Sequence, residues 1–408
     1  MTTAAMTKKR IAYKNIASPK GFKATGIHCG VKHKKKDLAL LTSEVPASVA
    51  GVFSTNAIIG APLVVTKEVV YSTKKMQALI VCSGIANSCT GKQGIIDAYT
   101  MQEKMAEKLG IAPELVGVGS TGVIGEMLKM DPILSGIQKL EPTDELEGAI
   151  NFSQAIMTTD TVTKDTSYKT MIDGKEVIIA GTAKGSGMIE PNMATMFAFI
   201  TTDANIESDY LQAALKSITD VTFNAITVDG DSSTNDMVLV MANGLAENNS
   251  LTPAHPDWEN FVETLHMVSL DLAKMIAKDG EGATKLIEVE VKGAVNDEEA
   301  RKIAKTVVGS PLVKTAVFGS DANWGRIIVA IGYSGATIDP NAINVWIGDT
   351  QVVGDGGPVP FSEEEAHLYL KQAEIKFVVE LNQGSGQGTA WGCDLTYDYV
   401  QINATYRS

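Results

Sequence analysis

Apolar positions along the chain follow two rhythms, and each rhythm predicts a different kind of element. Short apolar stretches such as 77–82 and Met196-Phe197-Ala198-Phe199-Ile200 read as strands buried on both faces. Apolar residues three and four apart read as helices, over about 94–109 with Gly110 closing it, 144–158 with Leu146, Ile150 and Ile156 among its apolar positions, and 207–220 with Leu211, Leu215 and Ile218. The longest such pattern covers 256–279, from Pro256 through Trp258, Phe261, Val262, Leu265, Leu272 and Ile276 to Gly280. Residues 168–172 and 176–180 predict a hairpin, with Asp173-Gly174 as its two-residue turn. From Lys285 the texture shortens to strand 286–291, helix 297–306, strand 312–317, helix 323–331 and further strands. Strands alternating with helices predict an α/β class, divided into a larger region at 1–284 and a smaller α/β domain at 285–408.

Composition narrows the function classes. With 44% hydrophobic and 20% charged residues among 408, the chain has the make-up of a globular protein with room for two or three cores. A net charge of −13 argues against a nucleic-acid partner, because binding phosphates calls for a basic footprint. Cys29, Cys82, Cys89 and Cys393 show neither paired metal spacing nor a disulfide framework, which fits a reducing compartment. The basic start lacks an apolar core of signal-peptide length and no run of 18 apolar residues occurs, so a cytoplasmic protein without a membrane partner is expected. Lys32 with Lys34, Lys35 and Lys36 reads as a solvated basic loop.

The candidate chemistry lies in residues 184–204. Gly185 and Gly187 permit a tight turn, Pro191 restrains it, and the chain then passes through Ala194-Thr195 into the apolar strand. A threonine at such a junction has a specific use. If its hydroxyl attacks the Ala194 carbonyl, the amide becomes an ester, and hydrolysis leaves Thr195 as a new chain start. The freed α-amine, with a reference pKa of roughly 7.7–8.0, then serves as base to its own hydroxyl. The plain alternative is an ordinary turn-to-strand junction.

Two other tracts carry polar or glycine-rich patterns. Gly117, Gly119 and Gly122 match G-x-G-x-x-G, but no helix opens directly after them and Glu141 sits beside Pro142, so a dinucleotide-dependent oxidoreductase is a remote alternative. The same loop suits stabilisation of an oxyanion by exposed N–H groups. Asp229, Asp231 and Asp236 invite a metal, yet the calcium-loop glycine and distal glutamate are missing; a capped polar loop is expected and no metal.

The tract Lys-Gly-Ser-Gly-Met-Ile-Glu-Pro-Asn-Met-Ala-Thr-Met at 184–196 resembles the processing site of the ornithine acetyltransferase family, also called glutamate N-acetyltransferase, of arginine biosynthesis. The resemblance runs from about Gly26 through Ser408. It implies a self-processing, layered α/β fold of the N-terminal-nucleophile type, cut between Ala194 and Thr195 into fragments 1–194 and 195–408. The fragments stay associated, expected as a heterotetramer of two of each. Residue by residue, it implies Thr195 as nucleophile, Thr121 and Gly122 as oxyanion hole, and Thr158, Lys184, Thr195, Glu281, Asn403 and Ser408 as substrate contacts. The implied reaction moves acetyl from N-acetylornithine to glutamate in ping-pong fashion, with no cofactor, and leaves open whether acetyl-coenzyme A is also a donor. The resemblance further implies a C-terminal tail folded back on the site. A self-processed threonine aminopeptidase or amidase would share the nucleophile but release its product to water.

Overall fold

The computed structural model describes residues 9–11, 15–190 and 196–405. The chain forms two compact units, each discontinuous in sequence: the first gathers 1–185, 192–220 and 232–272, the second 186–191, 221–231 and 273–408. The chain thus passes into the second unit inside a helix, ahead of Lys285, and two short loops, 186–191 and 221–231, leave the first unit to join the second.

The first unit is built on one sheet. Its strands are β1 (Lys9–Arg10), β2 (Phe22–Ile27), β3 (Leu38–Phe53), β4 (Lys75–Ile85), β5 (Val116–Val123), β6 (Lys164–Ile172), β7 (Lys175–Lys184), β8 (Phe197–Thr202) and β9 (Met237–Ala242). Their order is β1-β6-β7-β8-β9-β3-β4-β5, with β2 on β3; β4 with β5 and β8 with β9 run parallel and the other pairs antiparallel. Strand alternation feeds two apolar layers. On β4, Leu79 and Val81 join Phe197, Phe199, Leu239 and Met241 in one layer, while Ala78, Ile80 and Cys82 point into the other. Helix α1 (Ala61–Glu68), α2 (Gly91–Leu109) and α3 (Met130–Lys139) contribute Val65, Met101, Met105, Ile133 and Ile137 to the second layer. Helix α4 (Leu146–Ile156) inserts Phe152, Ala155 and Ile156 into the first. Helix α5 (Ser208–Val221) buries Leu211, Leu215 and Ile218 as its periodicity requires. The long α6 (Trp258–Lys278) lays Val268 and Leu272 against Gly181 of β7.

Local signals account for several boundaries. Gly110 ends α2 in the left-handed conformation at φ 66°, donating to the Ala106 and Glu107 carbonyls. The β6–β7 turn has Asp173 at φ 53° and Gly174 at φ 72°, the positive pair that a type I′ turn demands.

The glycine-rich stretch read as a loop is mostly strand: Gly117, Gly119 and Gly122 all lie within β5. They pack rather than turn, since a Cβ on Gly117 would fall 2.6 Å from Met76 and one on Gly122 would fall 2.3 Å from the Gly84 backbone. A dinucleotide loop needs a strand–turn–helix, and here the motif is spent inside the strand. Thr66 of α1 locks β5 in place; its buried Oγ1 donates to the Val118 carbonyl at 2.7 Å and accepts from the Val118 N–H at 2.8 Å. Thr66→Val keeps the volume and orphans both groups. We expect a loss of about 1–3 kcal/mol in urea unfolding.

The second unit holds β10 (Leu286–Ala294), β11 (Asn344–Ile347), β12 (Thr350–Gly354), β13 (Gly357–Pro358), β14 (Glu374–Glu380) and β15 (Gly386–Cys393), in the order β13-β12-β11-β14-β10-β15. One face, with Ile287, Val289, Val345, Phe377 and Val379, meets α7 (Asp297–Gly309), α8 (Pro311–Phe318), α9 (Trp324–Gly332) and α10 (Glu363–Leu370). The alternate positions are charged, and Lys376 pairs with Glu288 at 3.2 Å and Glu290 at 2.8 Å.

The expected strand at 312–317 is helix α8. Its β-branched content suggested a strand, but Ser310 caps the Val313 N–H, Pro311 occupies the first turn, and Val313, Ala316 and Val317 are buried at helical spacing. The tail is helical as well: α11 (Tyr397–Ala404) starts on the capping Thr396, whose hydroxyl also donates to the Gly282 carbonyl at 2.7 Å.

Candidate active site

Residues 194, 195 and 408 lie outside the described residues, so the site is built here from its other members, unit by unit.

In the first unit β7 ends at Lys184 and β5 carries Thr121 and Gly122. Lys184, 8% exposed, donates its Nζ to the Thr121 Oγ at 3.3 Å, so the hydroxyl proton of Thr121 is left to donate elsewhere. Gly122 has φ 129°, a backbone conformation open to glycine, and lies in register with Gly84 of the parallel β4. The close approach of these two glycines is why the motif tolerates no side chain at 122.

Under this pair lies a buried ionic group that sequence reasoning missed. Asp160, 3% exposed, accepts Lys164 Nζ at 2.7 Å and the Gly185 N–H at 2.6 Å through Oδ1, and the Thr158 N–H at 2.9 Å through Oδ2. Lys164 is itself fully buried. Burial opposes ionisation of Asp160, but Lys184, Lys164 and the Gly185 N–H outweigh it and hold the carboxyl well below the usual range. Two candidate substrate contacts, Thr158 and Lys184, are therefore organised by one carboxylate, Thr158 through its amide and Lys184 through charge. The sequence signal was present as Asp160 and Lys164 four apart, but such a spacing in a polar stretch reads as surface. Lys32 departs from the expected solvated loop: its Nζ donates to the carbonyls of Met157 at 2.6 Å and Lys36 at 3.0 Å, and burial draws its pKa down to about 8.

The tract 229–236 divides between the units. Asn235 donates to the carbonyls of Ala86 and Ser120, tying the ends of β4 and β5 together, and Asp236 beside it is buried. In the second unit Asp229 accepts the N–H groups of Met188 at 2.6 Å and Ile189 at 2.8 Å, and the Tyr399 hydroxyl at 3.2 Å. It is a cap for the turn that follows Gly187, as a polar loop should be.

Glu281, 6% exposed, sits in that second unit on the turn after α6. Its N–H donates to the Ser186 carbonyl at 2.9 Å and its Oε2 accepts Asn403 Nδ2 at 2.8 Å. A Cβ on Gly187 would fall 2.4 Å from that carboxylate, so Gly187 is there for close approach. Gly282 plays the same part under α11, where a Cβ would fall 2.6 Å from the Tyr399 nitrogen. Gly325 does not; its Cβ would find only Asn323 Oδ1 at 3.5 Å. The tract around it serves instead to anchor Lys285, whose Nζ donates to Ser320 Oγ at 2.8 Å. Thus Lys184 meets Thr121 in one unit and Glu281 meets Asn403 in the other.

Among the described residues, Asp173, His255 and Asp257 bring three potential metal ligands within 4.8 Å of one another. All three are already engaged in locking the β6–β7 turn, with Asp173 accepting the Asn249 N–H at 2.8 Å and donating its own N–H to Asp257 at 2.9 Å.

A family model described as the ArgJ family matches residues 23–408. The chain belongs to the ArgJ family. Curated proteins named arginine biosynthesis bifunctional protein ArgJ are similar to it: that of Halalkalibacterium halodurans is 59% identical over 97% of this chain and 96% of its own, and that of Geobacillus kaustophilus is 58% identical over 98% and 97%. A crystal structure of ArgJ from Bacillus halodurans is 62% identical, with a TM-score of 0.51, and covers 52% of this chain and 99% of the solved one. As an ArgJ-family member the chain is an acyltransferase of arginine biosynthesis, and no helix among the described residues is long and apolar enough to cross a membrane.

Proposed function

We propose that this ArgJ-family enzyme is a glutamate N-acetyltransferase that first cuts itself between Ala194 and Thr195. Thr195 then takes acetyl from N-acetylornithine as an ester, using its own α-amine as base, and glutamate accepts the acetyl from it. Thr121 Oγ and the Gly122 N–H hold the oxyanion, each donor lowering the barrier by roughly 3–4 kcal/mol. Lys184 takes the substrate carboxylate, Glu281 with Asn403 its amino group, and Thr158, Ser408 and the tail complete the contacts.

The observation that carries this reading is the pairing of Lys184 with Thr121 at 3.3 Å, which sets a fixed cation beside a hydroxyl donor at the end of the strand leading to the cleavage tract. The length match supports it too. Residues 195–408 are 214 of 408, the same share of the chain as the 52% that the whole solved Bacillus halodurans chain covers.

The scheme uses no metal or organic cofactor, and the two fragments remain together, two of each. Relatives bear the name bifunctional, and acetyl-coenzyme A as a second donor to glutamate is part of the proposal. Mixing the protein with N-acetylornithine and weighing its fragments tests the core of it. One added acetyl on the 195–408 fragment, removed by glutamate as N-acetylglutamate, is expected; free acetate in its place indicates a hydrolase, and an unmodified fragment sinks the nucleophile.

Gly187→Ala forces the Glu281 carboxylate aside. Since a misplacement of about 1 Å at a positioned group costs on the order of 100-fold, we expect KM for N-acetylornithine to rise at least about tenfold while cleavage proceeds.

A further inference from the structure

We infer that Lys32 is a positioning residue for substrate binding: its ammonium grips the peptide group between Met157 and Thr158, which Asp160 holds from the other side, and so sets Thr158 in place. The inference deepens the function proposed above and rests on its assignment of Thr158 as a substrate contact.

The turn that carries Lys32 is wound on Asp37, whose side chain is fully buried. Asp37 accepts the Cys29 N–H at 2.6 Å through Oδ1, and the N–H groups of Gly30 at 3.2 Å and Lys32 at 2.8 Å through Oδ2. The backbone of Asp37 ties the turn to the sheet. Its N–H donates to the Ile27 carbonyl of β2 at 2.9 Å, and its carbonyl accepts the Ser83 N–H of β4 at 2.8 Å. The main chain at Lys32 is therefore fixed before its side chain is placed. The stem then runs over β4, where a Cβ on Gly84 would fall 3.0 Å from Lys32 Cγ. Gly84 is in register with Gly122, so the stem crosses one strand away from the proposed oxyanion donor.

At its far end Nζ donates to the Met157 carbonyl at 2.6 Å and to the Lys36 carbonyl at 3.0 Å. The N–H of the same peptide group, on Thr158, donates to Asp160 Oδ2 at 2.9 Å. One peptide plane thus has a cation on its oxygen and a carboxylate on its nitrogen. Hydrogen bonds to charged groups are roughly twice as strong as neutral ones, and two of them on opposite edges fix the tilt of the plane. A cation has a second use at this point. Met157 closes α4, whose last turn contains no basic residue, and Lys32 supplies from another segment the positive charge that a helix C-terminus favours.

The grip depends on pH. Burial draws the Lys32 pKa down to about 8; Lys184 from β7 and Lys35 from its own loop act in the same direction, while Asp37 and Cys82 of β4 oppose it. Around these stand His28, 3.2 Å from Asp37, Lys129, which donates to the Val31 carbonyl at 3.0 Å, and Asp160 beyond the peptide. The charge is present below about pH 8 and is lost as pH rises through it, and a neutral amine holds the Met157 carbonyl less firmly.

Full-length wild-type, Lys32→Met, Lys32→Arg and Thr158→Ala proteins, and the double variant carrying Lys32→Met with Thr158→Ala, are compared for kcat and KM with N-acetylornithine and glutamate from pH 7.5 to 9.5. At pH 7.5 Lys32→Met is expected to raise KM for N-acetylornithine about tenfold and to change kcat less than about threefold. Because the effect passes through Thr158, the double variant should match Thr158→Ala within about twofold. Wild-type KM should rise about fivefold across the pH range. Lys32→Arg, charged throughout, should start within about threefold of wild type and stay level.

A Lys32→Met protein with wild-type KM overturns the inference, as does a loss confined to kcat. Multiplying effects in the double variant also overturn it, and so does a Thr158→Ala protein with wild-type KM, since there is then nothing to position. Should Lys32→Met fail to fold, Lys32→Arg decides: a near-wild-type KM without the alkaline rise supports the role of charge, and a KM that rises as in wild type, or is raised throughout, overturns it. Wild-type protein that gives no N-acetylglutamate removes the proposed function itself, whatever the variants show.

Discussion

Thr195→Ala should run as a single 408-residue polypeptide on denaturing electrophoresis and transfer no acetyl group, while the wild type runs as pieces of 1–194 and 195–408. In the proposed scheme both effects follow from one missing oxygen, since the hydroxyl that opens the Ala194 carbonyl would be the one that later carries the acetyl. Loss of a covalent nucleophile elsewhere lowers kcat on the order of 10⁶-fold, and the same scale is expected here. Thr195→Ser retains the hydroxyl and should still be cut, more slowly, because serine lacks the methyl that confines χ1. Thr195→Gly gives the sharpest control: a fully processed glycine variant would mean that something other than this hydroxyl severs the chain. A wild-type protein that is active and uncut would refute the scheme from the other side.

The second large effect belongs to a residue that reaches the candidate site through Asp160. Lys164→Met strands the buried Asp160 carboxylate, and breaking a buried pair by removing one partner costs about 3–5 kcal/mol. Urea or thermal unfolding should show it. Activity should fall as well, since Asp160 also holds the Thr158 and Gly185 amides.

The pH dependence has a definite sign. The folded Asp160 carboxyl is depressed relative to its unfolded value of roughly 3.9, so its stabilisation is complete above that value and is lost as pH falls through it toward the folded one. Wild-type stability should therefore drop steeply below about pH 4, and the drop should be shallower in Lys164→Met, whose carboxylate has lost one of its cations. Equal slopes in the two proteins would show that Lys164 is not what keeps Asp160 charged.

Much of the architecture was legible in sequence because its cause is local. The period of Leu211, Leu215 and Ile218 makes a helix with one buried side whatever it packs on, and Asp173-Gly174 makes a tight hairpin turn because both positions need positive φ. Residues 312–317 and Gly117 to Gly122 were misread for a reason that is also physical. In α8 the capping Ser310 and the Pro311 after it outweigh β-branched side chains, and in β5 the glycines answer to neighbours on β4 that no local window contains.

The same division runs through the candidate site. Thr121, Gly122, Lys184 and Glu281 could be named from motifs, yet nothing in those motifs says that Lys184 bonds Thr121 or that Gly187 is small to admit a carboxylate. Asp160 and Lys164 were passed over because a charged residue in a polar stretch is ordinarily at the surface.

By itself, then, the sequence determined the periods, turns and caps of this protein and the long motifs that place it in its family, since these depend on residues a few positions apart. Tertiary structure alone decided which charges are taken out of water and what they face. Asp160 draws its cations from 164 and 184, and Asp236 is met by the amide of residue 196 and by Lys184. Burial and Coulomb interaction act through space, and the partners that set these carboxyl groups are brought together only when β6, β7, β8 and β9 lie side by side.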